Sequence, residues 1–365
     1  MSTLLDIAIR LRSLWATLIA LLLGAMLIGL AGHDPLTAYA VLFREGFADY
    51  WGFANTLVKA SPIVLAALAV FLPYRAGLYN IGGEGQIYIG GLCATLVGLS
   101  LPDCPPWLGI PLVLASAMIG GAAWAAIAGA LKAYRSVNEV IVTLLLNFVA
   151  IHIVSYAVSG PLLAEGAPYP FSEQLPANLH LPMLLPQTDA HLGALFGLVL
   201  ALVLHVHFNR TSHGLALDVI GRNPQAARYA GIAVERQIVV AMALGGGLAG
   251  FAGGLEIVGL KYRLFHLFSA GYGFDGIIVA FMAGAQPLLV PLAGLLIAAL
   301  KAGSGSMQRA LGLDGSIVEA ILGLVVMTVA AGLAWKPSLA SLLTFLRSKP
   351  AAGEPLSLGT QKATP

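Results

Sequence analysis

The sequence predicts an all-α fold, a polytopic transmembrane helical bundle of about 8–10 spans with broken or re-entrant segments, and three observations carry that expectation. Only 10% of the 365 residues are charged, where a soluble domain carries about a quarter. Hydrophobic residues make up 58% and the mean hydropathy is +0.87. The apolar residues are gathered into runs that approach or exceed the roughly 20 residues of helix needed to cross a bilayer. In water such a chain could not cover itself with polar groups, so its outside faces lipid. Forty-three glycines and twenty prolines between long apolar runs fit close helix contacts and interrupted membrane helices.

Spans are expected at 13–31, 53–72, 80–100, 108–131, 138–158, 191–207, 238–258 and 316–334. The first follows Arg10 and Arg12. It is longer than a signal core of about 7–15 residues and reads as a retained span, with a cleaved signal as the alternative. Residues 274–285 and 287–301 are apolar but short, and fit either two tilted crossings or one re-entrant hairpin. Residues 1–347 form one membrane domain, and 348–365, rich in Pro, Ser, Thr and Ala, read as a disordered tail. Placing both termini in the cytoplasm puts 13 basic residues inside and 6 outside, the latter being Arg44, Lys59, Lys261, Arg263, Lys301 and Arg309. The positive-inside rule therefore favours that orientation. The outer loop 159–190 carries six prolines and is expected to be irregular but stiff, either part of a docking surface or a connector.

The net charge of +2 gives no reason to expect a nucleic-acid partner. Cys93 and Cys104 have neither a C-x-x-C spacing nor a matching His pair, so no metal site or cofactor is expected, while a bridge between them stays open. His205 and His207, two apart, face different sides of a helix, and His152 is a lone histidine on an apolar span. No G-x-x-x-x-G-K-[ST] occurs, nor any Gly-Lys pair, which excludes a P-loop cradle for ATP phosphates. H-E-x-x-H and G-x-S-x-G are also missing, so an intramembrane enzyme ranks below a transport subunit.

The loop 208–237 spells out a short helix. Asn223 is a good N-cap, Pro224 suits the first helical position and Gly231 suits the residue after the end, which marks a helix over 224–230. A helix of this length is marginal alone, so something must pack against it.

Ionisable residues inside apolar segments cost about 2.5–3.5 kcal/mol at a span centre and are usually paired or functional. Glu139, Glu256, Asp275 and Glu319 are expected near span ends, where the penalty fades. Glu84 is expected about 6 Å into a span beginning near Asn80, in a stretch holding Gly77, Gly82, Gly83, Gly85, Gly90 and Gly91. That crowding favours an unwound backbone lining a solute path, with tight helix packing as the alternative. Asn80, Glu84, Gln86, Asn147 and Asp275 form the candidate path set. An acid-Gly-x-Ile pattern recurs at Glu84 and Asp275, each after an Ala-Gly pair, as an inverted repeat would give.

Four blocks then carry a resemblance. They are Tyr79-Asn-Ile-Gly-Gly-Glu-Gly-Gln-Ile87, Val137-Asn-Glu-Val-Ile-Val-Thr-Leu-Leu-Leu-Asn147, Gly221-Arg-Asn-Pro-Gln-Ala-Ala-Arg-Tyr-Ala-Gly-Ile232 and Gly271-Tyr-Gly-Phe-Asp-Gly-Ile277. In this order they resemble bacterial ABC transporter permeases of the ribose and nucleoside uptake group, nearest the guanosine type; the segment 281–287 is less typical. The resemblance implies a multi-pass subunit of the bacterial inner membrane that has no ATP site and imports a small polar solute. Implied partners are ABC ATPase subunits, a second homologous permease and an extracytoplasmic solute-binding protein. It also implies that Gly221, Arg222, Asn223, Pro224, Ala226, Ala227 and Gly231 belong to the loop that couples to the ATPase. The alternative from the residues alone is a proton- or sodium-coupled transporter in which Glu84 and Asp275 titrate; its uptake would collapse with a proton uncoupler while ATP is held constant.

Overall fold

The computed structural model describes residues 12–284, 286–312, 314, 317–320, 323, 324 and 327. The tail 348–365 and most of the span expected at 316–334 lie outside the described residues. Among the described residues the fold is all-helical, with two isolated bridges and no strand.

The first helix is α1 (Arg12–Leu30), followed by α2 (Pro35–Phe43), which is capped by Asp34 and ends in a π turn at Arg44–Ala48. Then come α3 (Tyr50–Arg75), α4 (Gly83–Leu99), α5 (Pro106–Arg135), α6 (Glu139–Ser159) and α7 (Gly193–Arg210). Two short helices, α8 (Ser212–Arg222) and α9 (Pro224–Tyr229), lead to α10 (Val234–Glu256), which closes in a second π turn at Ile257–Lys261. The bundle is completed by α11 (Tyr272–Met282) and α12 (Val290–Leu311). Among the described residues six helices are long and apolar enough to cross a membrane: α3, α5, α6, α7, α10 with its π turn, and α12 with the 3-10 turn before it.

The bundle is organised around α3 and α10. In their most apolar windows 89% and 72% of residues are buried, against 28% for α5, α6 and α7, so the first two form the centre and the others its lipid-facing wall. Glycine sets the spacing. Methyl groups on Gly246 and Gly250 of α10 would sit 2.5 Å and 2.9 Å from Gly121 of α5, and one on Gly90 of α4 would sit 2.3 Å from the Gly250 carbonyl. The three helices therefore touch backbone to backbone, the contact by which membrane helices gain van der Waals energy where lipid supplies no hydrophobic drive.

Four expectations need correction. The glycines from Gly83 onward do not unwind the chain: α4 is continuous from Gly83, and Gly83, Gly85, Gly90 and Gly91 admit neighbouring elements at close range. The break is confined to residues 76–82, where Gly77 has φ +75°. The segment 287–301 is not short, because its helix runs on to Leu311; α11 alone is half-length, about 16 Å at 1.5 Å per residue. Glu256 does end the α-helical part of α10, as expected, but it is 1% exposed, so the burial penalty does not fade there. Lys59 and Lys301, counted above with the outer basic residues, lie within α3 and α12.

The 159–190 loop is irregular, as its prolines suggest, and is stitched along the end of α10. Ser172, Leu175 and Leu181 donate backbone N–H groups to the carbonyls of Leu264, Tyr262 and Val258. His180 stacks on Tyr262 at 3.9 Å between ring centres.

Candidate functional site

Two features stand out: a joint where helices begin inside the bundle, and the short helix held out at the Arg75 end.

At the joint, α4 and α11 start head to head. The backbone of Gly273 donates to the Glu84 carboxylate at 2.8 Å, although 189 residues separate them. A methyl on Gly273 would lie 2.2 Å from the Glu84 nitrogen, so only glycine allows the approach. Two helix N-termini, each the positive end of its dipole, thus converge on one carboxylate. From the joint α11 runs towards the Arg75 end of α3, where Phe281 meets Tyr74 edge-on at 5.7 Å. The recurrence of acid-Gly-x-Ile at Glu84 and Asp275 therefore coincides with two helices that start from one point and run apart.

The broken stretch before α4 is held by side-chain amides. Asn80 and Gln86 exchange two hydrogen bonds of 3.0 Å, and Asn80 also accepts from the Gly82 N–H. Asn147, two turns into α6, accepts from the Gly85 N–H at 2.8 Å and donates to the Ile81 carbonyl at 2.9 Å. Thr143 accepts from the Ile81 N–H at 3.3 Å. A break in a spanning helix frees backbone groups that lipid cannot satisfy, and these amides take up several of them. The structure thus brings Asn80, Glu84, Gln86 and Asn147 into one cluster, each at most 3% exposed. Asp275 lies one turn along α11 and pairs with Lys301 of α12. Thr143 and Gly273 are members that sequence reasoning did not single out, although both fall in or beside the blocks that carry the resemblance.

At the Arg75 end, α9 matches the helix marked in the sequence to within a residue. The Asn223 side chain accepts from the N–H groups of Gln225 and Ala226 at 3.0 and 3.1 Å. Ala230 closes the helix and Gly231 follows with φ +80°. Ala227 is the buried anchor, while Arg222, Asn223, Pro224, Ala226 and Gly231 are exposed. Tyr229 is 95% exposed, an aromatic held out in the last turn that sequence reasoning passed over.

The helix α8 was also not anticipated. Thr211 caps it, and Gly214, Leu217 and Ile220 form its buried stripe at helical spacing, the signal that could have found it. It docks on the end of α3 through a two-point contact between Arg75 and Asp218, with Arg75 also lying over the Phe208 ring at 5.1 Å. A methyl on Gly221 would sit 2.3 Å from the Arg75 carbonyl, so the end of α8 presses on the backbone that opens the break. The Arg228–Glu235 pair ties α9 to α10. These contacts link α9 to α10 and α8 to the end of α3, next to residues 76–82 that lead to Glu84.

Fold and site together define a polytopic membrane transport subunit, with helices that begin inside the bundle and a short exposed helix at one end. The chain belongs to the ABC permease family described as the branched-chain amino acid transport system permease component, which matches residues 52–343. It is 35% identical over 320 residues to a glucose ABC transporter permease of Haloferax volcanii, covering 85% of this chain and 84% of that one. It is 33% identical over 333 residues to a guanosine ABC transporter permease of Bacillus subtilis, covering 89% and 95%. A nucleoside ABC transporter permease of Lactococcus lactis is 28% identical over 326 residues, covering 86% and 89%. No solved structure matches the chain significantly. As a permease component the chain has no ATPase activity of its own, and its membership of an ABC permease family, not that absence, is what argues against the ion-coupled alternative.

Proposed function

We propose that this chain is the permease of an importer that carries a nucleoside inward across the bacterial inner membrane, with both termini in the cytoplasm. Its working partners are ABC ATPase subunits, a second homologous permease and an extracytoplasmic binding protein. The guanosine permease, matched along 95% of its length, and the nucleoside permease support the solute class; a sugar is the second reading, favoured by the glucose permease.

The observation that carries the proposal is the handle. A capped six-residue helix stands out beyond the bundle, anchored by Ala227 and backed by the Arg75–Asp218 contact, in a chain with no phosphate cradle. Closure of an ATPase around Tyr229 and the exposed residues Arg222, Asn223, Pro224 and Ala226 would push α8 against Arg75. The break would then shift, re-aiming α4 relative to α11. Glu84 and Asp275 stand where those helices part and are assigned to the solute route. Asn80, Gln86 and Asn147 hold the backbone that moves.

Gly221→Leu tests the linkage, because the larger side chain must separate α8 from Arg75. In the assembled transporter ATP hydrolysis should persist while uptake falls tenfold or more, within the ~5–150-fold that coupling energies of ~1–3 kcal/mol span. Unimpaired uptake would sink the handle. Running the same assay with guanosine and with glucose decides the solute.

A further inference from the structure

A cavity of about 320 Å³ opens at the end of the bundle opposite α9, at the small end of the roughly 300–1,000 Å³ range of ligand sites. Its wall includes Trp51, Asn55 and Lys59 of α3, Asp189 of the long loop, Lys261 of the second π turn and Tyr272 at the start of α11. It is thus separate from the Asn80–Gln86–Asn147 cluster, but Tyr272 adjoins Gly273 and connects its floor to the joint at Glu84.

Several polar groups around the cavity lack hydrogen-bond or ion-pair partners, although Lys261 lies over the Phe265 ring at 5.5 Å. Neither Lys59 nor Lys261 makes an ion pair among the described residues. Lys59 lies ten residues into a membrane helix, where an unpaired ammonium is costly. Glu256 is 1% exposed with neither oxygen hydrogen-bonded, yet it lies within the electrostatic reach of both lysines. Ser61 Oγ and His191 Nε2 are likewise buried and unbonded. These two side chains meet near Gly193, and the His191 ring also packs on Gly259, one turn beyond Glu256. Each unmade hydrogen bond of this kind costs about 1–3 kcal/mol, and native proteins leave few of them unexplained.

The backbone here is also atypical. Lys261 ends a π turn, a rare geometry frequent at functional sites, and Gln187 in the wall has φ +57°. The wall carries charges of both signs, Lys59 and Lys261 against Asp189. Separated charges of both signs bind hydroxyl groups through charge-assisted hydrogen bonds, and Trp51 and Tyr272 supply ring faces.

We propose that this cavity is the entry subsite for an uncharged, hydroxyl-bearing ring solute, held by Lys59, Lys261 and Asp189 against Trp51 and Tyr272 before it reaches the joint at Glu84. The assignment rests on the import reading above and adds to it a place inside this single chain.

The test uses the assembled transporter in proteoliposomes, with guanosine and glucose as probes. In Asn55→Cys, altered at an exposed rim position, the introduced thiol is modified from the outer side with a membrane-impermeant reagent; the unsubstituted complex supplies the background from Cys93 and Cys104. Solute at ten times its Kd should slow modification about tenfold by mass action. In Lys59→Gln the KM for uptake should rise about tenfold. Unslowed modification together with normal uptake would overturn the subsite alone, as would an unchanged KM in Lys59→Gln. Failure of the unsubstituted transporter to take up either probe would overturn the import reading and the subsite with it.

Discussion

Gly273 concentrates the chemistry of the joint in one residue. Its N–H binds the Glu84 carboxylate, and its missing side chain is what lets two helix starts meet. Gly273→Ala would force a methyl group to 2.2 Å from the Glu84 nitrogen, against backbone that cannot swing aside. We expect a loss of about 1–3 kcal/mol, typical of overpacking, measured by thermal unfolding in detergent. Gly247→Ala on α10 is the control, since its nearest neighbour, the Met118 carbonyl, would lie at 3.4 Å in ordinary contact. Equal stability of the two variants would argue against a tight joint. Glu84 was legible in the sequence as an acid among glycines, but its partner, 189 positions away, was not.

Among the elements, α9 is the one whose form is most fully local. Asn223, Pro224 and Gly231 act over a few residues by capping, fixed φ and left-handed tolerance, and the helix forms where they direct. Asn223→Ala should cost about 0.5–2 kcal/mol of helix stability, enough to fray six residues. The readout is the number of ATP molecules hydrolysed per solute imported, which should rise while insertion is unaffected; an unchanged ratio would mean that α9 need not be a preformed helix to work. By contrast α4 misleads a local reading. Its glycines look like breakers, yet each faces a neighbour that takes the room, and close packing of an intact helix outweighs their low propensity.

In the whole molecule, the proposed coupling makes the handle, the break and the joint one mechanical series, in a chain with no P-loop motif. The chain reconstituted alone should at most equilibrate nucleoside across the vesicle membrane. Accumulation above the bath concentration should appear only when the ATPase subunits and ATP are present, as measured by uptake of labelled solute. Uphill uptake by the lone chain would contradict the proposed transport role.

By itself the sequence determined that the chain lives in lipid, roughly where its helices run, and where α9 starts and stops, because transfer free energy and capping act within one segment. It could not determine which helices form the centre. The apolar windows of α3 and α5 have the same mean hydropathy of 1.9, yet 89% of one and 28% of the other is buried. Lipid is as apolar as a protein core, so burial leaves no mark in composition or periodicity. Tertiary structure decided that, and with it the amide partners of the break, the pairing of Asp275 with Lys301 and the isolation of Glu256, since each depends on which backbones pack close enough to touch.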